Sequence, residues 1–579
     1  MKSPRLWASL DAFVEGGAVL GRKVANTTFL DALLRANPYD EYHFFLSDPS
    51  SSENLDLWVR AHFPLLTARG AVKIFERHAL QARMASEQYH CMHLSDALTH
   101  YAQLAQIRNA FARNIFPITG LTHSLSYARF MSEYLKLLWS GVSARDAVIV
   151  TSESARSVLE HAFAALRRDY GLPENAFPAP GLARIPLGVA GASLPAPCER
   201  WDAADPPTTA GPGRAMRELL GLSDEPVFLC LSRFSHYSKM DLMPLFAAFR
   251  RAEGLGLPRG GYALVLTGWA DEGDPLPEAL RDYAGSMGIR TRVLVRPTGE
   301  ERRALYAAAD IFVSPSDNIQ ETFGLTVAEA AMASLPAIVS DFDGYRDIVV
   351  HGETGLLVPV LGFAESGETD VQSQLWFDNQ YHLKLAQQTA VNVPCLARSL
   401  CRLGLDADQR RRMGEAARTR ALALYSWDRV IERYVSLWDE LAAAPLPPES
   451  ETRLREARHP QIMRFAELFS WHFSTTLHQD SLATMTVQRT PAGEAVYRGR
   501  LPLIQYAGME YLLNGEAVRR MLLSARRPKA AAFLLQELQE FFSRLLPPAF
   551  ARDRASFTLL WALKQDFLEI LGPDNGENS

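Results

Sequence analysis

Short apolar segments alternate with helix-like segments along both halves of this 579-residue chain. In the first half, the strand-like runs lie near residues 5–10, 42–46, 72–75, 89–94, 115–119, 147–151 and 183–186. In the second half, they lie near residues 227–231, 263–267, 292–295, 311–314, 337–340 and 355–358. This alternation is typical of parallel, doubly wound sheets with helices on both faces. The sequence therefore predicts an α/β protein with two Rossmann-like domains.

Composition and periodicity divide the chain further. We assign a first domain to residues 1–190, a linker rich in Pro, Ala and Gly to 191–213, a second domain to 214–426 with an insertion at 361–403, a helix to 427–444, and a mostly helical extension to 449–575. Helices are expected in the extension at 451–473, 518–523, 530–546 and 556–570. Its role stays open between docking on the two domains, which we favour, forming an oligomer interface and selecting a substrate.

Charge and cysteine content exclude several classes of protein. The chain has 60 Lys plus Arg against 66 Asp plus Glu, a formal net charge of −6, so no basic field favours nucleic acid as a partner. Five cysteines without a CxxC pair suit a reducing cytoplasm.

No apolar run is long enough to span a bilayer, and Asp11 and Glu15 interrupt the apolar stretch that a signal peptide would need. We expect a cytoplasmic protein; peripheral contact with the inner membrane face stays open.

Two glutamates eight residues apart mark the second domain. An apolar strand at 310–314 is followed by a loop of small and polar residues at 315–320, and Glu321 comes directly after this loop. Glu329 falls on a helix at 325–332. In open α/β sheets, ligands bind outside the carboxyl ends of the strands, where a helix N-terminus favours phosphate. Glu321 is therefore expected at the mouth of a binding crevice.

Residues 314–359 as a whole resemble the donor-binding signature, E-x7-E, of retaining GT-B-fold glycosyltransferases that use nucleotide sugars, specifically glycosyltransferase family four (glycosyl transferases group 1). The resemblance implies that Glu321 lies beside the donor hexose and that Glu329 accepts hydrogen bonds from the ribose hydroxyls. It implies that the donor's sugar and phosphate contact the backbone of Phe323, Gly324 and Leu325.

A structural alternative exists for Glu329. Thr326 and Glu329 have the S/T-x-x-E spacing of a capping box, so this glutamate could serve only to cap its helix. The long matching context around the two glutamates favours the donor-binding interpretation.

Two cations follow the strand at 225–231. Arg233 and Lys239 match the arginine and lysine that hold the donor diphosphate in the family. Cations there would stabilise the negative charge that develops as the glycosidic bond breaks, because they are fixed before the reaction. The alternative is a pair of solvated loop charges, which is less favoured because both lie between an apolar strand and a helix.

Two further matches carry less information. Gly16 and Gly17 follow the first strand, where the family has a glycine-rich loop that lets backbone amides approach a ligand. His123 stands where the family has a histidine near the acceptor side of the donor sugar, with Ser124 in place of the acidic residue that often follows. An isolated histidine is commonly structural, so a role in catalysis for His123 stays open.

The resemblance covers roughly residues 1–442 and implies a retaining hexosyltransferase that moves sugar from a nucleotide diphosphate sugar to an unidentified acceptor, which could be a glycan, a lipid, a small molecule or a protein. It implies no metal and no cofactor, with UDP preferred to GDP in the co-substrate, and a helix at 427–444 that returns to the first, acceptor-side domain. Transfer is expected by front-face attack, with Glu321 as a covalent nucleophile less favoured. The alternatives are a GT-B sugar-nucleotide epimerase, a sugar-phosphate synthase and a non-catalytic scaffold.

Overall fold

The computed structural model describes residues 4–14, 21–191, 194–195, 211–365, 367–506, 508–546 and 548–571. The chain divides into two compact units, Met1–Pro460 and Gln461–Ser579. The first unit holds both large sheets and every candidate residue singled out above.

The first domain is built on a seven-stranded sheet in the order β3-β2-β1-β4-β5-β6-β7, with every neighbouring pair parallel. Its strands are β1 (Leu6–Ser9), β2 (Glu41–Leu46), β3 (Val72–Glu76), β4 (Tyr89–Leu94), β5 (Ile118–Leu121), β6 (Ala147–Val150) and β7 (Gly181–Arg184). Its helices are α1 (Gly21–Ala36), α2 (Pro49–His62), α3 (Pro64–Ala68), α4 (Leu80–Ser86), α5 (Tyr101–Phe111), α6 (Phe130–Lys136) and α7 (Glu153–Tyr170). Apolar cores cover both faces of the sheet.

The second domain has a six-stranded parallel sheet in the order β10-β9-β8-β11-β12-β13. Its strands are β8 (Val227–Leu231), β9 (Ala263–Gly268), β10 (Thr291–Val295), β11 (Ile311–Ser314), β12 (Ala337–Ser340) and β13 (Gly355–Val358). Its helices up to β13 are α8 (Pro212–Leu219), α9 (Met243–Gly254), α10 (Leu276–Ser286), α11 (Gly299–Ala308), α12 (Leu325–Met332) and α13 (Tyr345–Ile348). The expected pair of doubly wound sheets is confirmed.

The segment expected as an insertion divides into two parts. A short antiparallel pair, β14 (Val360–Leu361) with β15 (Ala390–Val391), encloses α14 (Glu368–Gln372) and α15 (Asp378–Gln387). The remainder is α16 (Val393–Leu405), whose Leu396 and Leu400 are fully buried in the core of the second domain. Only the part enclosed by the strand pair is therefore additional to the sheet and its covering helices.

Three helices complete the first unit: α17 (Ala407–Tyr425), α18 (Trp427–Ala443) and α19 (Pro448–Glu456). Helix α18 packs on the first domain, where the indole N–H of Trp438 donates to Thr119 Oγ1 at 2.9 Å. Helix α19 packs beside α5, and the side chain of Arg455 donates to the carbonyl of Ala112 at 3.0 Å. The second compact unit therefore begins after α19, at Gln461, twelve residues after the start that we assigned to the extension.

The second unit combines helices with a small antiparallel sheet in the order β17-β16-β18. Its elements are α20 (Phe465–Leu468), α21 (Gln479–Thr484), β16 (Thr486–Arg489), α22 (Pro491–Tyr497), α23 (Gly515–Ser524), β17 (Lys529–Ala530), α24 (Ala531–Ser543), α25 (Pro548–Lys564) and β18 (Leu568–Leu571). Two sequence expectations were wrong here. The helix over 451–473 is broken around Pro460, since proline cannot continue a helix. The helix over 556–570 ends at Lys564, and residues 568–571 pair with β16.

Candidate active site

Lys239 and Glu321 meet at the carboxyl ends of β8 and β11. The Lys239 ammonium donates a hydrogen bond of 2.8 Å to Glu321 Oε2. The two side chains are only 27% and 16% exposed, respectively. Partial burial reduces solvent screening, so the pair holds the Glu321 carboxylate in one position more firmly than a surface ion pair would.

Three hydrogen bonds connect the two loops that carry Lys239 and Glu321. Asn318 Nδ2 donates to the carbonyl of Tyr237 at 2.8 Å, and Ser316 Oγ donates to the carbonyl of Lys239 at 3.2 Å. The backbone N–H of Asp241 donates to Asp317 Oδ2 at 3.2 Å. The Lys239–Glu321 contact therefore belongs to an ordered junction of the two loops.

Arg233 lies in the same loop as Lys239, two residues after β8 ends. Its side chain lines a pocket with His236, Met240 and Leu280. No carboxylate in the part of the chain that the structure describes forms an ion pair with Arg233. The loop leaves β8 beside Gly268, where a Cβ atom would come within 1.7 Å of the Ser232 carbonyl oxygen, so only glycine fits there.

The Phe323-Gly324-Leu325 turn connects the Glu321 loop to α12. Gly324 has φ = 103°, and a Cβ atom at this position would lie 2.5 Å from the ring of Tyr345. The phenol of Tyr345 is hydrogen-bonded to Ser314 Oγ at 2.8 Å, at the end of β11. Glycine is therefore required at 324 both by backbone conformation and by the buried tyrosine beneath it.

Glu329 is buried on α12, with its side chain 7% exposed. Arg302 from α11 forms an ion pair with Glu329 Oε1, and the Tyr306 hydroxyl donates to Oε2 at 2.9 Å. The capping-box alternative does not hold, because α12 begins after Gly324 without a side-chain cap. Each carboxylate oxygen has a second lone pair that can accept a further hydrogen bond, so the contacts with Arg302 and Tyr306 leave capacity for the ribose hydroxyls. The assignment of Glu329 to the ribose stays a prediction.

His123 follows β5 on the opposite side of the site. Its Nε2 is hydrogen-bonded to the carbonyl of Ser95 at 2.8 Å, and its own carbonyl accepts a hydrogen bond of 3.0 Å from Thr322 Oγ1. The first-domain loop that contains His123 is thus in direct contact with the residue that follows Glu321. Gly16 and Gly17 lie outside the described residues.

Further contacts join the Glu321 loop and helix α13 to the first domain. Ser152, at the start of α7, donates through Oγ to the carbonyl of Thr322 at 2.7 Å. The backbone N–H of Glu153 donates to Asp347 Oδ2 at 2.8 Å. The loop that carries Glu321 therefore lies where the two sheets face each other.

Two acidic residues beside Glu321 did not stand out in the sequence. Asp317 is buried, its Oδ1 has no partner among the described residues, and burial raises its pKa to about 7. Burial, and next the charge of Glu321, raise the pKa of Asp343 well above its ordinary value. Asp343 also has φ = 46°, and with Asp341 it forms a D-x-D sequence directly after β12, a signal that we overlooked. Asp341 itself pairs with Arg346 at 2.8 Å.

A second polar cluster at the edge of the first sheet was also missed. Asp11 and Asp96 follow β1 and β4, and burial raises the pKa of both carboxyl groups. Arg77 and His100 lie beside them, with Arg77 Nη1 3.3 Å from His100 Nε2. The signal was available, because polar residues directly after neighbouring parallel strands meet at one edge of a sheet.

No group of three or more His, Cys, Asp or Glu side chains is placed to hold a metal ion within the ranges that the structure describes. Within the same ranges, none of the helices has both the length and the apolar character to cross a membrane.

The two doubly wound parallel domains define the GT-B architecture, and His123 of the first domain contacts Thr322, next to Glu321 of the second. A solved glycosyltransferase from Rickettsia africae ESF-5 has a similar fold, with a TM-score of 0.50 and 14% identity over 77% of this chain and all of that chain. At this identity, the likeness concerns the fold alone.

Residues 225–366 match the family model described as "Glycosyl transferases group 1". The matched range contains Arg233, Lys239, Glu321 and Glu329. The resemblance inferred from the sequence is thus confirmed at the level of group 1, while the narrower assignment to family four stays a prediction.

Relatives of known name match parts of this chain. The D-inositol 3-phosphate glycosyltransferase of Xylanimonas cellulosilytica is 32% identical over 183 residues, which are 31% of this chain and 41% of the relative. The protein of the same name from Mycobacteroides abscessus is 35% identical over 154 residues, 26% of this chain and 32% of the relative. The chain therefore aligns with less than half of the length of either relative.

Proposed function

We propose that this protein is a retaining glycosyltransferase that moves a hexose-type sugar from a nucleotide diphosphate sugar to an acceptor hydroxyl group. The observation that carries the proposal is the 2.8 Å contact between Lys239 and Glu321, with Arg233 in the same loop as the lysine. The match of residues 225–366 to the group 1 family model supports it.

The reaction exchanges one C–O bond for another at the anomeric carbon. The bond from that carbon to the β-phosphate oxygen breaks, and the acceptor oxygen forms the new bond on the same face. The departing phosphate oxygen takes the acceptor's proton. Arg233 and Lys239 stabilise the charge that grows on the diphosphate, and each such donor contributes ~3 to 4 kcal/mol. Glu321 orients the hexose, and Lys239 orients Glu321.

The nucleotide would lie along α12. The backbone at Phe323, Gly324 and Leu325 would contact sugar and phosphate, and Glu329 would accept from the ribose. Arg302 and Tyr306 keep the Glu329 carboxylate fixed for that contact. No metal has a part in this proposal, and UDP is the first nucleotide to test.

The acceptor would approach from the first domain, beside His123 and the Asp11–Asp96 cluster. That cluster combines carboxyl groups with Arg77 and His100, which suits an acceptor with hydroxyl groups and a negative charge. D-inositol 3-phosphate belongs among the acceptors to test, because the matched relatives carry its name. We place the reaction in the cytoplasm.

A screen of nucleotide sugars by thermal shift tests the donor, since a ligand at a hundred times its dissociation constant adds ~2.7 kcal/mol of stability. Product analysis then separates the alternatives. An epimerase would convert the donor sugar without an acceptor, whereas a transferase releases nucleoside diphosphate and forms a glycoside. A scaffold would turn over no donor at all, which would overturn the proposal.

A further inference from the structure

The additional helix α15 reaches across to the first domain. The backbone N–H of Ala128 donates to the Tyr381 hydroxyl at 2.9 Å, and that hydroxyl donates to Asp378 at 2.7 Å. Tyr381 and its neighbour His382 are nearly inaccessible to solvent, at 2% and 1% exposure. These two side chains are thus enclosed between the second domain and the loop that follows β5.

His382 uses both ring nitrogens. Gln320 Nε2 donates to His382 Nδ1 at 3.0 Å, and His382 Nε2 donates to Ser126 Oγ at 2.9 Å. This arrangement requires the neutral ring with its proton on Nε2. Burial lowers the pKa of His382, which favours the same neutral form.

The residues on either side of Glu321 are both linked by hydrogen bonds to the first domain. Gln320, directly before it, is tied through His382 to Ser126, and Thr322, directly after it, is tied to the carbonyl of His123. One first-domain loop thus holds the backbone on both sides of the glutamate.

We propose that His382 and Tyr381 are positioning residues that fix the Glu321 loop against the first domain, so that Glu321 is held where the donor sugar reacts. The inference rests on the proposed function. It gives the segment between β14 and β15 a role in turnover, although that segment lies outside the residues matched to the donor signature. Misplacement of a reacting group by about 1 Å can cost a hundredfold in rate, so a positioning contact is measurable.

The test compares His382→Ala, Gln320→Leu and Tyr381→Phe with wild type, using UDP-glucose and the other donors of the screen. We expect the release of nucleoside diphosphate to show a kcat lower by at least about tenfold in His382→Ala, Gln320→Leu and Tyr381→Phe. The dissociation constant of UDP should change by less than about twofold, because the nucleotide contacts lie on α12. His382→Gln, which keeps one donor and one acceptor, should recover part of the rate.

Asn379→Ala is the matched control, because Asn379 lies on the same helix with an exposed side chain. Hydrogen exchange supplies a readout that does not depend on turnover: amides of residues 320–324 should exchange at least about threefold faster in His382→Ala than in Asn379→Ala. Equal kcat and equal exchange in the two variants would overturn the inference. If the wild type turns over no donor, the proposed function fails and the exchange result alone decides the positioning role.

Discussion

Lys239 and Glu321 are 82 residues apart in the sequence and joined by a hydrogen bond of 2.8 Å. Each follows a different parallel strand, and the two strands are neighbours in the second sheet. In the proposed reaction, Lys239 stabilises the leaving diphosphate and Glu321 orients the sugar, so this hydrogen bond joins the two roles. Loss of the lysine therefore has two expected effects, on charge and on the position of Glu321.

We predict that Arg233→Ala and Lys239→Ala each lower turnover of the nucleotide sugar by at least about a hundredfold, because charge stabilisation of the departing diphosphate is lost. Lys239→Met keeps most of the side-chain volume and should be equally impaired. Arg281→Ala, at an exposed arginine of the same domain that pairs with its neighbour Asp282, is the control. If a variant retains more than about a third of wild-type turnover in steady-state kinetics, the residue replaced in it is not a diphosphate ligand.

The two glutamates should separate kinetically. Glu329→Gln is expected to weaken UDP binding and raise KM, because a ribose contact is similar in the ground and transition states. Glu321→Gln should lower kcat while UDP affinity stays close to that of the wild type. Calorimetric titration of each variant with UDP gives the comparison. Unchanged UDP affinity in Glu329→Gln would remove the ribose assignment and leave Glu329 as a structural partner of Arg302 and Tyr306.

The raised pKa of Asp317 predicts that the free energy of unfolding depends on pH. Its pKa is about 7 in the folded chain against 3.8 as the ordinary value, so the folded state binds more protons between these two pH values. Stability is therefore lost as pH rises through this window, by about 4 kcal/mol at most. Asp317→Asn mimics the protonated carboxyl and should melt above wild type at pH 8 but close to it at pH 4. An identical melting difference at both pH values would show that Asp317 does not titrate in this range.

The second unit should be dispensable for donor binding. A chain that ends at Pro460 keeps the described site residues and should bind UDP within about twofold of the full chain. A chain that ends at Ala444 also loses α19 and the residues directly after it. Arg455 of α19 donates to the Ala112 carbonyl, and His459 is hydrogen-bonded to the Lys136 carbonyl at 2.9 Å. This shorter chain should melt lower while still binding UDP if it folds. A folded chain ending at Pro460 that no longer binds UDP would show that the second unit completes the site.

The sequence predicted the sheets well because buried parallel strands are continuous apolar runs bounded by polar turns. The largest displacement is in β5, which begins at Ile118 and not near residue 115, directly after Pro117, which has no N–H to give to a sheet. In the second unit, the apolar spacing predicts a helix that includes residues 568–570, whereas the structure has a strand there. The pairing of this strand with β16 depends on contacts with residues 79 to 85 positions earlier in the chain, which local periodicity does not contain.

The sequence singled out Glu321 and Lys239 because each lies in a short motif of neighbouring residues. The residues that the sequence did not single out owe their properties to distant neighbours. The pKa of Asp343 is raised by burial and by the charge of Glu321, and Arg302 reaches Glu329 from another helix. The bridge through His382 joins segments more than 250 residues apart. Such contacts require the folded chain.

The central claim is that Arg233, Lys239 and Glu321 form the site of sugar transfer from a nucleotide diphosphate sugar. The most direct measurement is the release of nucleoside diphosphate from a panel of nucleotide sugars, with D-inositol 3-phosphate and simple sugars as acceptors, by wild type and the Arg233→Ala, Lys239→Ala double variant. We predict that wild type releases nucleoside diphosphate from at least one donor, that the product keeps the anomeric configuration of the donor, and that the double variant releases at least about a hundredfold less. Release at equal rates by both proteins, or by neither with any donor, would contradict the account.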